Sequence, residues 1–374
     1  MNRFLASSLA ALLFLSTADT TEGRAYEYSG HYEHSQSNAR GKPAKPQQKK
    51  PVMPRKSAAK PQQKKPSVTR PTVPSTPDID TPLEGREQYY IGWLKRTNRL
   101  SKNDRVSLVV YDIDNRKTVV SINEDSPRIS ASTMKVYPLL AFYTQVSEGN
   151  IRRTPVDAFH LYRMIKQSNN KSANAIMRRV AESMGMDGDQ GPRAVQEILN
   201  GKYPYFTDTS IVELIPEEGV EAGRTLRNKT SVHDLNRFYV QAWLGNLPYS
   251  ENMLWYLNLE KRDRVWDETC IPEGVEVFNK TGTLYGQVSD SAVISFEGSD
   301  GRKHAYSFAA IIEDKTRPLE APEKRDADYK RWSEARGNYI RRMSEGAFDF
   351  MLQQQTGEPY MCQLHRGRHL LRLQ

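Results

Sequence analysis

The chain has 374 residues, 54 Lys plus Arg against 45 Asp plus Glu, and a formal net charge of +9. Two cysteines exclude a disulfide-dense scaffold or a cysteine-rich metal site, and there is no H-E-x-x-H pair, so no metal and no cofactor are expected. From Arg40 to Arg70 the chain carries +11 with no acid, which leaves the remainder at net −2. The basic character is therefore local, and nucleic acid is not an expected partner.

Met1-Asn2-Arg3, the apolar run Phe4 to Leu15 and the small residues Ser16-Thr17-Ala18 have the layout of a secretory signal over residues 1–18. The run is too short for a bilayer span, which needs about 20 apolar residues. An exported protein, periplasmic or extracellular, is the expectation. Residues 19–82 are read as a disordered tail rich in Lys, Pro and Gln, with AKPQQKKP at 44–51 and again at 59–66. The tail is taken as a solvated spacer, with an electrostatic tether to an anionic envelope polymer or lipid headgroups as the alternative.

Folding signals start near Leu83, and residues 83–356 are expected to form one catalytic domain, followed by a basic tail over 357–374. A helix is expected over 84–100, then strands over 106–113 and 118–122 joined by a turn at Asp114-Asn115-Arg116. An apolar helix follows near 132–148, with Pro138 expected to kink it. A second helical region runs through 157–183, and 184–226 reads as loop with short elements. Helical pattern returns at 231–244. Strands are expected at 275–281, 288–296 and 304–313, and a long charged helix at 324–353. This order implies an α/β fold, a sheet with helices on both faces. Cys270 and Cys362 either pair, closing a loop of about 90 residues, or remain buried thiols.

Three short motifs bear on chemistry. Ser132-Thr133-Met134-Lys135 opens a helix with a lysine three residues after a serine, on the same face and able to take its proton. Ser57 and Lys60, and Ser168 and Lys171, share that spacing. Ser168-Asn169-Asn170 places a hydroxyl and an amide two apart at a helix edge, with Ser172 and Asn174 as a rival register. Lys280-Thr281-Gly282-Thr283 follows strand-like residues. It offers a cation and hydroxyls, with a glycine that lets a ligand lie along a strand edge. Lys229-Thr230-Ser231 reads as a decoy because a helical pattern follows it.

In this order the motifs resemble the S-x-x-K, S-D-N and K-T-G trio of class A β-lactamases and penicillin-binding proteins. The likeness extends to SASTMKVYPLLAFY around the serine, SNNKSANAIM, KTGTLYGQVSDSAVI and GSDGRKHAYSFAAII, and covers about 104–355. The resemblance implies a serine β-lactamase/D,D-peptidase-like sandwich, with an antiparallel sheet flanked by helices. It implies a hydrolase that attacks a β-lactam or a D-Ala-D-Ala-type peptide through an acyl-enzyme. Alternatives are a peptidoglycan D,D-peptidase, a slowly deacylating β-lactam-binding protein, or a non-catalytic wall-peptide binder.

Carried over residue by residue, Ser132 would be the nucleophile and Lys135 its proton acceptor. Ser168 would relay a proton to the leaving nitrogen, and Asn170 would bind a substrate amide. Lys280, Thr281 and Thr283 would hold a carboxylate, with Gly282 giving room. The N–H groups of Ser132 and Thr283 would form the oxyanion hole. Three features depart from the pattern. Asn169 stands for an aspartate, the 36 residues from Ser132 to Ser168 are few, and no E-x-x-L-N segment lies between 175 and 230. Glu213, Glu217, Glu218 and Glu221 are the nearest substitutes for its deacylating base.

Overall fold

The run VSLVV is apolar on both faces of a strand, so it suits the middle of a sheet covered on both sides. It lies in β1 (Asp104–Asp112), which turns through 113–116 into β2 (Lys117–Ile122). In this computed structural model, residues 82–217, 227–314, 316, 326–357 and 360 are described, all within the unit Val73–Gln374. The signal-like start, the Lys/Pro/Gln tail, Glu218, Glu221, Cys362 and the basic C-terminus lie outside the described residues.

Three C-terminal strands complete the sheet: β5 (Glu276–Leu284), β6 (Gln287–Glu297) and β7 (Lys303–Asp314). The order is β2-β1-β7-β6-β5 and every pairing is antiparallel. This is the antiparallel sheet with helices on both faces that the motif resemblance implies. A two-stranded pair, β3 (Arg128–Ile129) with β4 (Lys229–Thr230), lies apart from it. Lys229-Thr230 thus does lie on a short strand, and Ser231 caps the helix after it, accepting from the N–H of Asp234.

Helix α1 (Leu83–Arg96) and the long α8 (Asp326–Thr356) pack on one face with Leu108, Val110, Ile294 and Phe308. The other face, carrying Val109, Val293, Ala309 and Ile311, is covered by a layer of helices. The layer includes α2 (Val136–Ser147), α3 (Pro155–Lys166), α4 (Asn170–Ser183), α5 (Gly191–Lys202) and α6 (Val232–Trp243). Truncating Phe308, fully buried, would cost about 3–5 kcal/mol.

Four details differ from the sequence expectation. The helical region at 157–183 is two helices, broken where Ser168 takes φ +53°. Pro138 does not kink its helix, because a 3-10 turn (Ala131–Lys135) precedes α2. Pro138 then falls in the first turn, where a backbone N–H has no helical acceptor to lose. The loop-like stretch contains α5, whose Ala194, Val195, Ile198 and Leu199 are buried on one stripe. A further helix, α7 (Ser250–Asn258), packs on β5. Cys270 is disulfide-bonded, which removes the reading of it as a buried thiol.

Candidate active site

β5 is the last strand of the sheet, so among the described residues its outer edge has no strand partner. The 3-10 turn of Ser132 packs against it at Gly282. A Cβ at that glycine would stand 2.5 Å from Ser289 Oγ, 3.1 Å from Ala131 Cβ and 3.2 Å from Thr133 Cγ2. Only glycine permits this approach, and it sets Ser132 beside Gly282 and Thr283. Ala131, immediately before the serine, takes φ +45°. Left-handed backbone at a residue with a Cβ is strained, and such strain collects at functional positions. Here the two such residues Ala131 and Ser168 flank the same cluster.

Lys135 Nζ is its hub, 3.0 Å from Ser132 Oγ, 2.7 Å from Asn170 Oδ1, 2.5 Å from the Ser168 carbonyl and 3.2 Å from Ser168 Oγ. Burial, and then the charge of Lys280, hold the Lys135 pKa well below the usual lysine value. In the neutral amine the Ser132 O–H can donate to Nζ, the first requirement of an activated hydroxyl. Lys280 Nζ lies 3.0 Å from Ser168 Oγ and 2.9 Å from the Thr281 carbonyl. Burial, and then Lys261, push its pKa down to about 7. Ser168 Oγ therefore bridges two lysines, with protonation states that are coupled.

The remaining predicted residues are placed as follows. Asn170 points its amide to the protein: Oδ1 accepts from Lys135 and Nδ2 donates to the Pro216 carbonyl at 2.8 Å. Asn169 is the N-cap of α4, accepting from the N–H of Ser172 at 2.8 Å. An uncharged Asn serves that role as well as an Asp. Of the rival register, Ser172 meets His160 and Asn174 meets Ile215, while Lys171 is exposed. Ser57 and Lys60 lie outside the described residues.

Glu213 accepts from the backbone N–H of Arg227 at 2.8 Å, and Glu217 from Asn174 at 3.1 Å with Arg178 at 3.7 Å. The segment bonded to Asn170 and Asn174 is Ile215-Pro216. Only seven residues, 148–154, join α2 to α3, so no additional element stands between Ser132 and Ser168 on that side.

One residue of the cluster carried no motif. Arg264, in the loop before β5, donates to Thr283 Oγ1 at 2.7 Å and to the Ser289 carbonyl at 3.2 Å. Its backbone N–H donates to Asp290 Oδ2 at 2.7 Å. Burial, and then Asp263, raise the Asp290 pKa to about 6. A lone arginine in a loop has no sequence signature, so it could be found only after the fold.

Among the described residues, Asp125, Asp208 and His233 bring three ligand atoms within 4.8 Å. Arg237 donates to His233 Nε2 at 2.9 Å, which leaves the proton on Nδ1, 3.3 Å from Asp234. In that neutral tautomer Nδ1 donates to Asp234 and Nε2 accepts from Arg237, which leaves no ring lone pair for a metal.

The sequence profile described as "Beta-lactamase enzyme family" matches residues 94–155 and 160–327. The chain belongs to that family. Among curated proteins none matches the sequence. Solved structures share the fold at low identity. PBP-A is 19% identical with a TM-score of 0.54, covering 72% of this chain and 97% of its own. A variant of PBP-A has been solved as an acyl-enzyme complex with penicillin G. A β-lactamase from Sphaerobacter thermophilus is 16% identical with a TM-score of 0.54, covering 71% of this chain and 96% of its own. A class A β-lactamase representing the last common ancestor of Gram-negative bacteria is 19% identical with a TM-score of 0.52, covering 71% and 99%. By family the chain is thus a β-lactamase-like serine hydrolase. No described helix is long and apolar enough to cross a membrane.

Proposed function

We propose that Ser132 attacks the amide carbonyl of a β-lactam or a D-Ala-D-Ala-type peptide and forms an acyl-enzyme. The observation that carries this reading is the 3.0 Å approach of a buried, pKa-lowered Lys135 to Ser132 Oγ. Lys135 takes the hydroxyl proton as Oγ bonds to the carbonyl carbon. The N–H groups of Ser132 and Thr283 receive the developing oxyanion, where each such donor is worth about 3 kcal/mol. Ser168, between the two lysines, returns a proton to the leaving nitrogen, and the C–N bond breaks. Lys280, Thr281 and Thr283 hold the substrate carboxylate.

The neighbours of Asn170 favour the alternative of slow deacylation over rapid class A turnover. Hydrolysis of the ester needs a base to hold water against the acyl carbonyl, typically worth 10²–10⁴-fold. The segment tied to Asn170 offers an aliphatic and an imino residue there, while Glu213 and Glu217 are engaged with Arg227, Arg178 and Asn174. The short passage from α2 to α3 also suits a peptide better than a small drug. The test is labelling by a fluorescent penicillin, run beside release of D-alanine from a D-Ala-D-Ala peptide. Both should vanish in Ser132→Ala; labelling that survives in that variant would overturn the assignment.

A further inference from the structure

Helix α3 ends at Lys166, two residues before Ser168, so whatever it touches lies beside the cleft. One face belongs to the core, where Asp157, Leu161, Met164 and Ile165 are buried. At about 3.6 residues per turn, the opposite stripe carries Val156, Phe159, Tyr162, Arg163 and Lys166. A solvated helix would show mixed charges there. This stripe has no acid and two bare apolar side chains, Val156 at 62% and Phe159 at 53% exposure. Trp255 on α7, which packs against α3, is 58% exposed. These are the three most exposed large apolar residues among the described residues, and they fall on one pair of adjacent helices. Apolar side chains scattered singly are ordinary, but a cluster marks a surface that something covers.

The charge around this stripe is one-sided. From Gly149 to Asn170 the chain carries Arg152, Arg153, Arg163 and Lys166 against a single acid, Asp157. Asp157 is no counterion for the surface. It is buried, accepts from the backbone N–H and the hydroxyl of Thr154 at 2.9 and 2.8 Å, and has Arg179 at 3.7 Å. The outer cations lie over the rings themselves. The Arg163 guanidinium sits 5.3 Å from the Phe159 ring centre, and the Lys166 ammonium 5.8 Å from that of Tyr162. Such side chains lay their stems along apolar surface while the charged ends reach away from it toward an anion.

We propose that α3 and α7 form a docking face for an anionic lipid surface, with Phe159 and Trp255 entering the headgroup region and the cations of α3 meeting lipid phosphates. Exposed rings among cations, with no acid on the stripe, are what a helix lying in a bilayer interface presents. A soluble polyanion would satisfy the cations and leave Val156 and Phe159 in water. Seated this way, the chain holds the cleft that contains Ser168 close to the lipid. The docking goes beyond the acyl-enzyme reading and does not depend on it. The segment from Arg40 to Arg70, with +11, supplies a second and purely electrostatic attraction to the same surface, so the test must separate the two.

The experiment sediments the full chain with phosphatidylcholine vesicles, made with and without phosphatidylglycerol. It compares wild type, Phe159→Ser, Trp255→Phe and the pair Arg163→Gln with Lys166→Gln; the basic segment is common to all. Wild type should bind only where phosphatidylglycerol is present. Phe159→Ser should lower partition on the order of 10-fold, and the charge pair by about 5-fold for each cation removed. Brominated acyl chains should quench wild-type tryptophan emission and fail to do so in Trp255→Phe, because a domain held by the basic segment alone inserts no ring. All four side chains reach solvent, so melting temperature and Ser132 acylation by soluble benzylpenicillin should stay at wild-type values. If Phe159→Ser fails to fold, Val156→Ser takes its place. Variants that bind like wild type, quenching that survives in Trp255→Phe, a loss confined to the charge pair, or a wild type that ignores both vesicles would each overturn the docking face. A wild type that binds lipid as described but forms no Ser132 adduct would support the docking and count against the acyl-enzyme reading alone.

Discussion

Asn174 grips the peptide of Ile215 from both sides, donating to its carbonyl at 2.8 Å and accepting from its N–H at 2.9 Å. With Asn170 bonded to the Pro216 carbonyl, this fixes a short segment one side chain away from Lys135. Ile215 is the residue so held, and it packs partly into the core. We predict that Ile215→Glu speeds deacylation of a penicilloyl adduct by at least about 10-fold, within the range that a general base supplies. It should leave acylation within a few-fold and lower the melting temperature. Pre-steady-state kinetics with a chromogenic cephalosporin separate the two steps. An unchanged deacylation rate would mean that the water is held elsewhere.

Gly282 is required by space, not by backbone freedom. Gly282→Ala would press a methyl on Ser289 Oγ, Ala131 and Thr133, so the turn that carries Ser132 must move off β5. Overpacking of this kind costs about 1–3 kcal/mol. A displacement near 1 Å is worth about 10² in rate. Acylation by benzylpenicillin should therefore fall far more than stability does. A variant that acylates normally would show that the turn and the strand need not touch.

The pH profile of acylation follows from the two lysines. Lys135 must be neutral to accept the Ser132 proton, so the rate rises with pH through its lowered pKa. Lys280 must be charged to hold a carboxylate. Its pKa of about 7 implies a falling limb on the alkaline side. A bell is expected, and Lys280→Arg should carry the falling limb to higher pH because arginine stays charged. A limb that does not move in that variant would assign it to another group.

Glu87 on α1 gives a stability prediction remote from the site. It is buried against Gly346 of α8, Oε2 has no hydrogen-bond partner among the described residues, and burial raises its pKa to about 8. The folded form prefers the protonated acid. Stability is therefore fully present below the ordinary value of 4.5 and declines as pH rises toward 8. Glu87→Gln should melt higher than wild type by a margin that grows with pH across that window. A margin independent of pH would contradict the neutral carboxyl.

Much of this site was legible in the sequence because each motif is local. Ser132 and Lys135 share one turn, and Lys280 to Thr283 share one strand whose alternation was plain. The order of strands and helices gave the sheet with helices on both faces. What was hidden depends on contacts distant in the chain. Arg264 reaches Thr283 from a loop with no pattern, and the bonds of the Asn170 amide to Lys135 and to the Pro216 carbonyl join segments far apart in the chain. The search for a deacylating glutamate looked for a residue type, whereas the segment tied to Asn170 and Asn174 carries Ile215 and Pro216. Helix α5 was masked by Pro192 and Gly201 at its ends, and the left-handed turns at Ala131 and Ser168 have no glycine to announce them.

The central claim is that Ser132 forms an acyl-enzyme that outlives its formation. Intact-protein mass spectrometry of the full chain with excess benzylpenicillin, sampled from seconds to hours, tests it directly. The account predicts a single adduct, mapped to Ser132 by peptide digestion, that accumulates to near completion and decays slowly after free drug is removed. No adduct, or an adduct on any other residue, would contradict the assignment; fast turnover without accumulation would contradict the slow release assigned to Ile215-Pro216.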